Sequence, residues 1–303
     1  MLNVYDFISN SRFFKTFKVD DLLFVEYKCL FEDGSIPYWT HNNYFAYILS
    51  GTSKYLNGEK EYVVEKGDAL FIKKGTYIAQ GHGKGDYCAL LIFVSDEFIK
   101  SVLDKYPAPG NRGANSGNEG CNSIFPLHVD ASLDAYFHSL LSYFSKEVSP
   151  TRELLKIKFE ELLLSLLTSE QSQSLASCLR NIHERSKVSI RDVMETSFMF
   201  NMSLEEYAKL CARSLTVFKS EFYDIYKMTP GKWLIQARLR HAKVLIESTE
   251  DSINDIAFKS GFKNTAHFVK VFKDQYGMPP HQYRLRRKPS PALESRLIET
   301  QTA

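Results

Sequence analysis

Apolar residues recur along this 303-residue chain with two different periods, and the period changes after residue 100. From Leu22 to Val94 they fall in short runs: LLFVEYKCLF, YFAYILSG, KEYVVEKG, ALFIKKG and DYCALLIFV. These runs are rich in β-branched and aromatic residues and are bounded by turn signals, which predicts strands. Asn57-Gly58 is a hairpin dipeptide, and Gly34, Gly51, Gly67-Asp68, Gly75 and Gly81-His82-Gly83 punctuate the rest. Strands spaced in this way predict a small antiparallel barrel or jelly roll over residues 1–106. The Gly/Asn/Ser-rich stretch Pro107–Ser123 has no apolar period and reads as an exposed loop, with 107–130 as a connector.

Helical spacing takes over at residue 131, with helices expected over Ser132–Lys146 and Pro150–Ser169. On the second, Leu155, Phe159, Leu162 and Leu166 follow 4-3-4 spacing, while Leu154, Ile157, Leu163, Leu164 and Leu167 occupy much of the remaining circumference. A helix apolar on more than one face must bury both. Either a partner chain covers one of them or the chain covers both itself. The first four residues are the candidate dimerisation face, and 131–170 is the candidate helical dimerisation segment. Residues 171–186, opening on Gln-Ser-Gln-Ser, read as a linker with a short helical piece at Leu175–Arg185.

The stretch from Ser252 to Arg284 holds two short apolar helices, one with Ile253, Ile256 and Ala257, the other with Phe268, Val271 and Phe272. Gly261 ends the first where a left-handed residue is needed, and Asn264 and Thr265 can cap the second. That is the layout of a helix–turn–helix, whose second helix can enter a DNA major groove. The layout recurs about 50 residues upstream. Ser203 and Glu206 form a capping box, Ala208 aligns with Ala257, Ser214 with Asn264, Phe218 with Phe268 and Phe222 with Phe272. Between the two, Pro230 opens a long helix, GKWLIQARLRHAKVLIEST, a rigid spacer of about 28 Å at 1.5 Å per residue. By spacing, Val217, Phe218, Phe222, Phe268 and Phe272 are expected in the core.

Charge sharpens this division. Residues 1–186 carry 19 Lys+Arg against 23 Asp+Glu, whereas 187–288 carry 18 against 11, so only the back half suits a polyanion. The tail 289–303 reads as disordered. Five cysteines, odd in number and without C-x-x-C spacing, suggest reduced thiols in the cytoplasm rather than a disulfide frame or a zinc site. No apolar run reaches the roughly 18 residues of a membrane span, and the N-terminus has no basic-then-apolar signal pattern. Neither a nucleophile motif nor a Gly-rich phosphate loop is present, so no enzyme activity is expected.

HNNYFAYILSG followed by EKGDALFIKKGTY resembles the double motif of the cupin barrel. The metal-ligand positions of that motif hold Thr40, Tyr44 and Ile78 here, leaving only His41 and His82 nearby. No metal and no cofactor is therefore expected. Trp39, His41, Tyr44, Tyr47, Phe71, Tyr77 and His82 can line a barrel mouth as an effector pocket, or they are ordinary strand core. Lys73 and Lys74 can meet an acidic ligand group, or form a solvated turn.

Arg238, Ala242, Leu245, Ile253, Ile256-Ala257, Gly261-Phe262, Phe268, Phe272-Lys273, Tyr276-Gly277, Pro280 and Tyr283-Arg284 resemble the C-terminal signature of the AraC/XylS family of transcription regulators. Lys227 departs from it, standing where the family often has Gly before Met-Thr-Pro. The resemblance implies an α+β multidomain chain: a cupin-like regulatory barrel, a dimerising segment, and a DNA-binding domain over 187–288. It implies double-stranded DNA, a second copy of the chain and RNA polymerase as partners, usually for activation. The barrel aromatics point to gating by a small-molecule effector; the alternative is an N-terminal module for protein interaction and dimerisation without a small ligand. Carried onto this chain, Leu215, Thr216, Lys219 and Ser220, with Thr265, Ala266, His267 and Lys270, would read bases. Arg213, Lys232, Arg238, Lys259, Lys263 and Lys273 would meet phosphates.

Overall fold

A computed structural model describes residues 1–28, 34–57, 60–82, 87–106, 122–145, 149–184 and 188–287, and divides the chain into units Met1–Ser189 and Ile190–Ala303. The side chains of His82 and Arg287 lie outside the description. The expected loop over 107–121 and the tail 288–303 lie outside it as well.

The front unit holds β1 (Leu2–Asn3), α1 (Val4–Ser9), β2 (Lys15–Val19), β3 (Leu22–Lys28), β4 (Ser35–Thr40), β5 (Asn43–Ser50), β6 (Thr52–Asn57), β7 (Lys60–Val64), β8 (Ala69–Ile72), β9 (Gly75–His82), β10 (Cys88–Val94), α2 (Asp96–Lys105), β11 (Ile124–Leu127), α3 (Ala131–Phe144), α4 (Arg152–Thr168) and α5 (Gln173–Glu184). The strands form a five-stranded sheet, β1-β4-β9-β6-β7, and a six-stranded sheet, β11-β8-β5-β10-β3-β2. β6 and β7 pair down to Asn57 opposite Lys60, at the position of the expected hairpin.

The long apolar runs of β5 and β10 have a physical reason: both faces of their sheet are covered. Tyr44, Ala46, Ile48, Leu91 and Phe93 belong to one buried cluster, with residues of the other sheet such as Tyr38, Tyr55 and Tyr77. Their alternate neighbours Phe45, Tyr47, Leu90, Ile92 and Val94 join a second cluster with α2, α3, α4 and α5. Ser95, Asp130 and Thr151 cap α2, α3 and α4 by accepting from backbone N–H groups.

Two expectations change here. Leu155, Phe159, Leu162 and Leu166, the expected dimerisation face, are buried within the chain, with Phe159 meeting the rings of Phe45 and Phe98. The apolar outer sheet face takes that side of α4, while Ile157 on the other side is 59% exposed. The expected linker at 171–186 is largely α5, whose Leu175, Cys178 and Leu179 are buried in the same cluster. The short helical piece expected in it is this helix; what its polar opening does not reveal is its packing onto the front-unit core.

The back unit is helical: α6 (Ile190–Ser197), α7 (Leu204–Leu210), α8 (Leu215–Tyr226), α9 (Pro230–Ser248), α10 (Ile253–Lys259), α11 (Thr265–Tyr276) and α12 (Pro280–Arg287). Pro230 occupies the first turn of α9, where its missing N–H costs nothing. α9 is buried on two sides. Trp233 meets the rings of Phe222 and Tyr226 of α8. Farther along, Leu239, Ala242 and Ile246 join Ile256, Ala257, Phe262, Phe268 and Phe272 in one cluster.

Candidate DNA interface

The two helix–turn–helix units, α7–α8 and α10–α11, are built by the same local chemistry. Ser203 and Glu206 cap α7 reciprocally, and Ser252 caps α10 through the N–H of Asp255. Each first helix closes with a bond spanning five residues, Arg213 N–H to the Ala208 carbonyl and Phe262 N–H to the Ala257 carbonyl, both 3.0 Å. That closure requires a left-handed residue, supplied by Ala212 at φ +53° and Gly261 at φ +86°. Ser214 then caps α8 through the N–H of Val217, and Asn264 caps α11 through those of Ala266 and His267.

Phe218 and Phe222, like Phe268 and Phe272, are fully buried and fix which side of each second helix faces outward. On α8 the outward side carries Thr216, Lys219 and Ser220, with Leu215 half-buried. On α11 it carries Ala266, His267 and Lys270, with Thr265 half-buried at the start. Val217, expected in the core, is 45% exposed, because the core side of α8 runs through Phe218 and Phe222 alone.

The six expected phosphate contacts divide. Lys232, Lys263 and Lys273 are exposed. Lys259 is exposed too, but pairs with Asp251 at 2.7 Å, which holds that carboxyl below its ordinary value and raises the amine. Arg213 is turned inward with a side chain only 9% exposed, its Nε on Glu221 at 2.7 Å and a guanidinium nitrogen on the Cys211 carbonyl. Arg238 donates to the carbonyls of Phe198 at 2.7 Å and Phe200 at 3.0 Å. Both arginines thus serve the architecture of the turn region. A basic residue type in sequence does not reveal that a backbone carbonyl awaits it.

Segment 197–200, from the last residue of α6 into its link with α7, is held from three directions. Tyr207 Oη of α7 donates to the carbonyls of Ser197 at 2.8 Å and Phe200 at 3.2 Å, and burial pushes its phenol up to about 12. Arg238 of α9 holds Phe198 and Phe200 as above. The carbonyl oxygen of Met199 lies 2.5 Å from where a Cβ on Gly261 would sit. Gly261 is therefore required twice, for its dihedral and for the close approach.

The expected effector residues do not converge. Tyr44 and Tyr77 lie in the cluster between the sheets, where Tyr44 and Tyr38 share a hydroxyl bond of 2.6 Å and Tyr77 donates to the Lys73 carbonyl. Tyr47 and Phe71 lie on the opposite sheet face, where Tyr47 donates to Asp134 and stacks on Phe137. A three-residue step from Tyr44 to Tyr47 along one strand necessarily reverses the face. Trp39 is buried, and His41 is half-buried, beside Asn3 at 3.2 Å and the ring of Tyr5. Lys74 pairs with Asp96 at 2.6 Å, and Asn43 bridges the two. Among the described residues no cluster of three His, Cys, Asp or Glu has the geometry to hold a metal ion.

Comparison with known proteins bears on both units. Residues 43–178 match the ExsA N-terminal regulatory domain family, and residues 207–286 match a helix-turn-helix domain family. The virulence regulon transcriptional activator VirF of Yersinia enterocolitica is 26% identical over 239 residues, covering 78% of this chain and 87% of VirF. The transcriptional regulator ExsA of Pseudomonas aeruginosa is 25% identical over 237 residues, covering 78% of this chain and 84% of ExsA. Among solved structures, apo ToxT from Vibrio cholerae aligns over 88% of this chain and 97% of its own, at 13% identity and a TM-score of 0.42. Two capped helix pairs on a shared spacer helix, the signature residues within them and relatives matched across both units lead to one assignment. The chain is a DNA-binding transcription regulator of the AraC/XylS family.

Proposed function

We propose that the protein is a transcription activator whose α8 and α11 occupy two successive major grooves on one face of double-stranded DNA. The observation that carries this reading is the shared frame. Two buried phenylalanine pairs anchor both helices beside one 19-residue spacer and turn their polar sides outward. About 28 Å of spacer is commensurate with the roughly 34 Å between successive grooves. Thr216, Lys219 and Ser220 with Leu215, and Ala266, His267 and Lys270 with Thr265, are the base readers, while Lys232, Lys259, Lys263 and Lys273 meet phosphates. VirF is described as an activator, which supports RNA polymerase as a partner. Footprinting on a duplex selected by the full-length chain tests the reading. Two protected patches one helical turn apart are expected, and a single patch refutes it.

For the front unit, the packing favours an interaction and dimerisation module over a small-molecule sensor, because the aromatic set is divided between two buried sheet faces. A homodimer would use the outer side of α4, where Leu154 and Ile157 are exposed. Sedimentation of the full chain and of its Ile157→Glu variant tests this: loss of a dimer supports it, and an unchanged mass overturns it. A metabolite that raises the melting temperature of the full chain would restore the sensor reading.

A further inference from the structure

Tyr223 lies on α8 seven residues after Thr216, four after Lys219 and three after Ser220, so it continues their outward side by one turn. It is 53% exposed. Its hydroxyl makes no hydrogen bond among the described residues. The second helices begin 50 residues apart, at Leu215 and Thr265, and that offset places Tyr223 where α11 presents the exposed Lys273. Both residues directly follow the second buried phenylalanine of their helix, Phe222 or Phe272. The two units thus offer DNA a neutral hydroxyl and a cation from the same geometric position.

We propose that Tyr223 is a DNA contact of the first unit, donating its hydroxyl to a phosphate oxygen, and that the Tyr223/Lys273 exchange sets each unit's share of the salt-dependent affinity. This rests on α8 being a recognition helix. A tyrosine bonds phosphate without displacing a condensed counterion, whereas a lysine displaces one, so the two positions differ in salt response more than in geometry.

The test is equilibrium binding of the full-length chain, across a salt series, to a duplex selected from a random pool by the wild-type protein. Tyr223→Ala is expected to weaken binding about tenfold at every salt concentration, the size of one lost hydrogen bond with its packing. Tyr223→Lys is expected to steepen log K against log salt by about 0.9, and Lys273→Tyr to flatten it by the same amount. Tyr223→Phe, which keeps the ring, separates the hydroxyl's share from the packing. If Lys219→Ala weakens binding while Tyr223→Ala and Tyr223→Lys leave affinity and slope unchanged, the Tyr223 assignment is overturned and the reading of α8 stands. If Lys219→Ala, Thr216→Ala and all Tyr223 variants are silent together, α8 is not at the DNA, and both fail.

Discussion

In the first helix–turn–helix unit the left-handed turn residue is Ala212, an exposed alanine, and in the second it is Gly261, pressed against the backbone of Met199. The turns differ by one residue in length, yet the second helices fall into register 50 residues apart. The electrostatics diverge as well. Residues 203–229 hold four basic and four acidic side chains, whereas 252–284 hold five basic and two acidic. In the first unit Arg213 is consumed by Glu221, leaving Lys219 as the cation among its proposed base readers. One backbone frame therefore serves two units with different electrostatic roles, and the second one is tied to the rest of the domain through its turn.

Substitution at the two turns should separate them most strongly. Gly261→Ala must strain a left-handed residue, at about 1–2 kcal/mol, and displace the Met199 carbonyl, at about 1–3 kcal/mol more. A loss of about 3 kcal/mol is expected in denaturant titration of the back unit. Ala212→Gly relieves strain and adds chain entropy, so it should stay within about 1 kcal/mol of wild type. Equal losses at both turns would mean that the Met199 contact carries no weight.

Arg238→Ala comes next. Removing a guanidinium that serves two carbonyls should destabilise the back unit by about 2 kcal/mol, the range for hydrogen bonds to charged groups. A phosphate contact would behave differently, flattening the salt slope of DNA binding by about 0.9 with stability unchanged.

Lys219→Ala and Lys270→Ala should each weaken operator binding by about 1–3 kcal/mol and relax base preference in different half-sites. Should the selected motif stay intact and only the salt slope fall, the two are phosphate contacts.

The smallest effect concerns His241 of α9, half-buried with its ring edge against Phe198. Burial lowers its pKa below the ordinary 6.5, so folding favours the neutral ring. Its contribution is present above that value and is lost as pH falls below it. The melting temperature of the back unit should decline across that range, and His241→Gln should flatten the decline.

Much of this was legible in the chain, because the relevant signals are local. The change from runs to helical spacing, the caps Ser203, Ser214, Ser252 and Asn264, and the paired phenylalanines all act within a few residues. Partners distant in sequence were not legible. Arg213 and Arg238 read as cations facing phosphate until Glu221 and the Phe198 and Phe200 carbonyls are seen beside them. The α4 stripe reads as an interface until the outer face of β5 covers it. Nor does residue type mark Tyr223 as a contact, although the offset that pairs Phe222 with Phe272 also pairs it with Lys273.

The clasp on segment 197–200 has a consequence for DNA geometry. Tyr207 and Arg238 are bonded to these few peptide groups and Gly261 is packed against them, which couples both helix pairs to one segment beside α9. On the proposed mode of binding, the phase between the two reading helices is then fixed by the protein. One extra base pair between half-sites rotates the second by about 34°, one step of a 10.5-base-pair turn, and the duplex must untwist or bend to restore alignment. Spacer length, rather than spacer sequence, becomes the quantity that such a domain discriminates most sharply.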